Sequence, residues 1–143
     1  MPDMGPCSLS VRPMECYTPL EQANLALVRA VYDQVLEPLD SSKVEGFFRQ
    51  DYIQHSPMAQ TGADGLKQFL DWAKSVSPDA HHEVKRMFAD GDHVIAHVHV
   101  VITPGTPGNA VIDIFRIEDG LVAEHWDAAQ ELTGQSANDN GVF

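Results

Sequence analysis

VIDIFRIEDGLVAEHWD, Val111 to Asp127, reads as two strands joined by a tight turn. Val111 to Ile117 is rich in β-branched and aromatic residues, Leu121 to Ala128 partly so, and Glu118-Asp119-Gly120 supplies turn chemistry. A three-residue loop would set Ile117 opposite Leu121, Phe115 opposite Ala123, Asp113 opposite His125 and Val111 opposite Asp127. Facing residues share one side of a sheet. That side is mostly apolar yet carries two carboxylates and an imidazole. A carboxylate on a buried face needs a partner, a shifted pKa or solvent. A wet, partly apolar cavity holding acid and base groups meets all three needs. A one-residue slip would undo the assignment.

The rest of the chain supplies the frame. From Ala80 the hydrophobic period is two, with strands expected at 81–89, 93–103, 109–118 and 121–131. Asp90-Gly91-Asp92 joins the first pair and Pro104 to Gly108 the second. In HVIAHVHVVIT, Val94, Ala96, Val98, Val100 and Ile102 form an aliphatic side that must be core. His93, Ile95, His97, His99 and Val101 take the other side, which faces solvent or a polar cavity. Upstream the period is helical. Thr18-Pro19-Leu20-Glu21 combines an N-cap, a proline at the first helical position and a capping-box glutamate. Leu20, Leu27, Val28, Val31, Val35 and Leu36 follow as one stripe, and Pro38 ends it. A short helix is expected over 42–48, an extended piece over 51–57, and a third helix over 62–76 with Leu66, Phe69, Leu70, Ala73 and Val76 inward and Trp72 at the margin. Helices first and an antiparallel meander second predict an α+β fold, with helices on one face of a curved antiparallel sheet and an open cone between them. Residues 1–17, broken by Pro2, Gly5, Pro6 and Pro13, read as an irregular arm before a single domain over 18–143.

The chain has 143 residues and a formal net charge of -12, which argues against nucleic acid and anionic membrane as main partners. No apolar run approaches the roughly 20 residues of a membrane span. The N-terminus shows no basic region followed by an apolar one. Cys7 and Cys16 have no zinc or CxxC spacing, and a cytoplasmic location with free thiols is expected.

Three chemistries fit these residues. The first is proton transfer by Asp113, Asp127 and His125, with His97 or His99 joining from the neighbouring strand. An acid and a base in an apolar hollow suit enolisation, aldol ring closure, isomerisation or water activation. The same residues could instead form a buried Asp–His hydrogen bond that only satisfies both groups. The second is a metal at His97-x-His99, whose spacing after Gly91 is similar to half of a cupin motif. The required glutamate is absent between Val101 and Pro104 and no second half-motif follows, so no metal is expected. The third is a curved sheet that binds a small molecule or a second copy without catalysis. Nucleophilic serine and nucleotide motifs are absent.

The segments YIQHSP at 52–57, GLKQFL at 65–70, FADGDHVIAHVHV at 88–100, the hairpin at 111–127 and the tail SANDNGVF at 136–143 resemble the SnoaL-like polyketide cyclase family of the nuclear transport factor 2-like superfamily. The resemblance implies an α+β cone, a homodimer, no cofactor, and a cofactor-independent aldol condensation or isomerisation of a small apolar or aromatic carbonyl compound. It implies Asp127 as general acid/base, with Asp113 on a polar cavity position, His55 at the cone mouth and His99 facing the same cavity. Phe115, Phe69, Trp72, His97 and His125 would contact the substrate. A non-catalytic, dimeric small-molecule-binding protein is the alternative on the same fold.

Overall fold

The computed structural model describes residues 12–143. Most of the expected arm, 1–11 with Cys7, lies outside the described residues. Within the remainder, a 3-10 turn spans Met14–Cys16 and Tyr17 is buried against the core. Cys16 is disulfide-bonded, which corrects the expectation of a free thiol there.

Helix α1 runs Pro19–Val31 with the expected start. The Thr18 hydroxyl accepts from the Glu21 backbone N–H at 3.2 Å, and the Glu21 carboxylate accepts from the Thr18 N–H at 3.0 Å. Glu21 also receives the Gly91 N–H at 3.2 Å, and the Asn24 amide donates to the Gly91 carbonyl at 3.2 Å. The helix start is thereby tied to a distant hairpin. Leu25, Val28 and Val31 make the inner stripe, whereas Leu20 is 59% exposed and takes no part in it. The helix then widens into a π turn over Tyr32–Leu36, closed by the Glu37 N–H on the Tyr32 carbonyl at 2.9 Å. One extra residue per turn rotates the side chains that follow, a device often found at functional sites.

Helix α2 is one turn, Val44–Phe47, and leads into β1, Phe48–Gln54. Helix α3 occupies Gly62–Val76 as expected. Strands β2 (His81–Asp90), β3 (His93–Val101), β4 (Asn109–Glu118) and β5 (Leu121–Glu131) form the antiparallel meander. The sheet order is β1-β5-β4-β3-β2, and β1 pairs with β5 in parallel. The sheet is therefore mixed, with β1 added to the expected meander. Helix α3 carries the chain from β1 at one edge to β2 at the other, a long-range pairing that no local pattern encodes. Val94, Ala96 and Val98 on β3 are fully buried, as are Val28, Val31 and Val35 on the helical side. These residues form the floor and roof of the core.

The central hairpin keeps its expected inner face by an unexpected route. Its loop is two residues, Asp119 at φ 52° and Gly120 at φ 76°, with Glu118 opposite Leu121. Positive φ at both positions matches the right-handed strand twist. The pairing then shifts by one more residue, from Ile117–Val122 to Arg116–Glu124, leaving Ala123 as an extra residue on β5. The two single steps sum to an even slip, so side chains return to the expected faces. Asp113 lies opposite Asp127, Phe115 opposite His125 and Val111 opposite Ala129. Val122 replaces Leu121 as the buried residue beside Ile117.

The β3–β4 loop closes on Gly108, at φ 78°, where a Cβ would lie 2.4 Å from the Val100 carbonyl oxygen. Gly108→Ala should cost about 2 kcal/mol or more through backbone strain and this clash. Urea unfolding of the variant would measure the loss. Among the described residues, no helix is long and apolar enough to cross a membrane.

Candidate functional site

The concave side of the sheet, the π turn and α3 enclose a cavity of about 310 Å³. Its wall is largely apolar, with Phe48, Leu66, Phe69, Val111 and Phe115 prominent. Polar groups are concentrated where β4 and β5 face one another. Asp113 is 8% exposed and has both oxygens engaged. Its Oδ1 meets His125 Nε2 at 2.8 Å, and its Oδ2 accepts the Tyr32 hydroxyl in a short hydrogen bond. The π turn aims that phenol. Burial, followed by the Asp113 charge and hydrogen bond, raises the Tyr32 pKa well above the usual tyrosine value, so the phenol remains a neutral donor.

The opposite side of His125 fixes its tautomer. His125 Nδ1 is 2.8 Å from Gln54 Oε1, and the same Oε1 receives the Ser56 backbone N–H at 3.1 Å. A backbone N–H can only donate, so the Gln54 atom between them is the carbonyl oxygen, and His125 Nδ1 must carry a proton. One proton then lies on the line between His125 Nε2 and Asp113 Oδ1. Either the imidazolium donates to a carboxylate or a carboxylic acid donates to a neutral imidazole. Asp113 and His125 thus form a proton-sharing pair, braced by Tyr32 on one side and Gln54 on the other.

Asp127 differs in setting. It is exposed, lines the cavity, and takes no hydrogen bond from the described residues. Donor atoms of Asp113, His125 and Asp127 lie within 4.8 Å of one another. A divalent cation held there would have to displace the shared proton, so cation and proton would compete for one place. Tyr52, also on the wall, has its pKa raised mainly by burial and then by the Asp113 and Asp127 charges, and it stays a neutral phenol.

The structure brings together five of the nine residues singled out from sequence: Asp113, Asp127, His125, Phe115 and Phe69. The other four lie elsewhere. Ala96 faces Asp113 across β3 and β4, which puts the even-numbered β3 residues on the cavity side and the histidines on the convex side. His99 Nε2 donates to the Pro107 carbonyl, 2.7 Å away, and the ring packs on Phe143. His97 bonds Arg86 and also packs on Phe143, with its pKa lowered by burial and then by the Arg86 charge. His55 follows the inward-facing Gln54 and points outward. It meets Glu124 at 2.8 Å and stacks on Trp126 at 5.0 Å. Trp72 is 54% exposed on the outer surface of α3, beside Phe69.

Sequence reading missed Tyr32, Gln54, Tyr52, His82 and Asn109, all on the cavity wall. Gln54 was within reach, because residues adjacent along a strand take opposite faces. His82 is the most consequential. Its pKa is lowered, burial outweighing the opposing pull of Glu37 and Asp113, with His81 nearby adding a smaller downward push. The folded state therefore resists the proton that an unfolded His82 accepts below about pH 6.5. Stability from this group should be intact above that pH and fall as pH drops below it, by at most about 1.4 kcal/mol per unit. Replacing His82 by phenylalanine should flatten that part of the stability–pH curve in chemical unfolding.

Comparison with known proteins agrees with this architecture. A profile of the SnoaL-like domain matches residues 28–125. A candidate polyketide cyclase from Bacillus cereus ATCC 10987 aligns with a TM-score of 0.66 at 19% identity, over 76% of this chain and 74% of its own. A candidate SnoaL-like polyketide cyclase from Jannaschia sp. CCS1 gives 0.66 at 18% identity, over 79% and 89%. A candidate hydroxylase from Streptomyces galilaeus gives 0.63 at 21% identity, over 76% and 79%. No curated protein matches. At these identities the solved structures establish the fold, while the profile covers most of the cavity-forming chain. The protein belongs to the SnoaL-like domain family.

Proposed function

We propose that the protein is a cofactor-independent acid/base enzyme acting on a small carbonyl compound, by enolisation leading to isomerisation or intramolecular aldol condensation. The observation that carries this reading is Asp127, exposed and without a hydrogen bond from the described residues, beside a braced, proton-sharing Asp113–His125 pair on the wall of an apolar cavity. Asp127 takes the α-proton. The C–H electron pair moves into the enolate, and the new charge on oxygen is met by the shared Asp113–His125 proton and by the neutral Tyr52 phenol. Returning the proton to a different carbon isomerises the substrate, whereas attack of the enolate on a second carbonyl closes a ring. The polyketide cyclase descriptions of the structural relatives support the same class of substrate. His125 and Tyr32 stand at the cavity in place of His55 and His99, which the family resemblance had put there.

The expected homodimer fits the convex face, where Ile53, Phe88 and Ile112 are 43%, 40% and 40% exposed. The function is tested by deuterium exchange into the α-positions of 2-tetralone, followed by proton NMR. Enzyme-dependent exchange that disappears in Asp127→Asn is the expected result. Exchange no faster than the buffer rate would leave the non-catalytic binding protein as the better reading.

A further inference from the structure

The cavity has a second polar end. His82 on β2 pairs with Val100 on β3, and Val100 pairs with Asn109 on β4. All three line the cavity. Asn109 is four residues from Asp113 along β4, roughly 13 Å of extended strand. Between these ends the sheet contributes Val111 to the wall, while Val100 sits between His82 and Asn109 and Ile102 lies beyond them. The sheet wall of the cavity therefore carries polar groups at two levels separated by apolar surface.

His82 is not a satisfied core histidine. Its Nδ1 is the one buried side-chain nitrogen or oxygen among the described residues with no hydrogen-bond partner. That nitrogen makes only a long ion-pair contact with Glu37 Oε2, at 3.5 Å, while Glu37 is held by His81 Nδ1 at 2.5 Å and by the His82 backbone N–H. The fixed carboxylate favours a proton on Nδ1. With Nδ1 against Glu37, Nε2 is the ring nitrogen left to the cavity, and it makes no hydrogen bond to the described residues. Burial keeps the ring neutral, so Nε2 presents a lone pair. The Asn109 carboxamide, on the far side of Val100, also makes no hydrogen bond to the described residues and supplies both a donor and an acceptor to the same cavity.

We propose that His82 and Asn109 form a hydroxyl-recognition subsite, and that the ligand is a hydroxylated, two-ended carbonyl compound with an apolar ring body. Its carbonyl lies at the Asp113–His125–Asp127 end, and its hydroxyl donates to His82 Nε2 while accepting from the Asn109 amide. The orientation of the carbonyl rests on the acid/base reading above; the hydroxyl subsite does not. An acceptor aimed into an otherwise apolar region rejects a ligand that leaves it unpaired, so the subsite determines specificity.

The experiment compares 2-tetralone with 6-hydroxy-2-tetralone by isothermal titration calorimetry on the full chain. Wild type should bind the hydroxylated probe about tenfold more tightly. His82→Phe should abolish that preference while leaving 2-tetralone affinity within about twofold. His82→Gln, which retains an acceptor, and Asn109→Ala should keep only part of it, and both guard against a phenylalanine variant that fails to fold. Equal binding of the two probes to wild type, binding of neither, or an equal loss for both probes in folded His82 variants would overturn the subsite. Binding is read without turnover. A tenfold preference in a protein that exchanges no α-deuterium would uphold the subsite and remove the catalytic reading, and the reverse pattern would do the opposite.

Discussion

Asp127→Asn should lower enzyme-dependent α-proton exchange by about 10³-fold, in the middle of the range that a positioned general base contributes. The variant should unfold at the wild-type temperature or slightly above it. Both expectations come from the same geometry. Asp127 is exposed and receives no hydrogen bond from the described residues, so its removal orphans no partner. It stands directly opposite Asp113, and removing one of two facing carboxylates relieves repulsion. Asparagine fills nearly the same space but cannot take a proton from carbon. The check is exchange rate and thermal unfolding measured on one preparation. Undiminished exchange in a folded variant would eliminate Asp127 as the base.

Asp113 should behave in the opposite sense, because it holds the site together. Asp113→Leu leaves the Tyr32 hydroxyl and His125 Nε2 without their acceptor in a buried setting, and should cost about 3–5 kcal/mol. Asp113→Asn should cost far less, under about 1.5 kcal/mol. Its carbonyl oxygen still accepts from Tyr32, and its amide can donate to a neutral Nε2. Proton exchange should nevertheless collapse in the asparagine variant, because the amide cannot share a proton with the imidazole. Urea unfolding of both variants beside the exchange assay separates the roles. If leucine and asparagine destabilise equally, the hydrogen bonds drawn to Asp113 contribute no net stability. If Asp113→Asn keeps full exchange, the shared proton has no part in the chemistry.

Much of this arrangement was legible in one dimension. The capping box at Thr18–Glu21, helix α3, all four meander strands and the shared face of Asp113, His125 and Asp127 follow from period and turn chemistry. The shared face was reached with the wrong loop length, because an even slip preserves side-chain direction. The histidines of β3 show the limit of such reasoning. Alternation separates His97 and His99 from Ala96 and Val98, but it cannot say which set faces the hollow. That depends on the register of β3 against β4, a contact between residues distant in sequence. The aliphatic set proved to line the concave side, since that side is first a core and only locally a polar site. His55 failed for a related reason: β1 joins the sheet parallel to β5, and its inward residue at that level is Gln54.

The sequence by itself determined the elements, their order and two carboxylates on one face of a hairpin, because hydrophobic period, proline, glycine and caps act within a few residues. The tertiary structure alone decided which groups those carboxylates meet. Tyr32 reaches Asp113 across 81 positions and Gln54 reaches His125 across 71. Side-chain partnerships of that range are selected by packing, through a π turn, a parallel edge strand and a strand register set only when the whole sheet closes around its core.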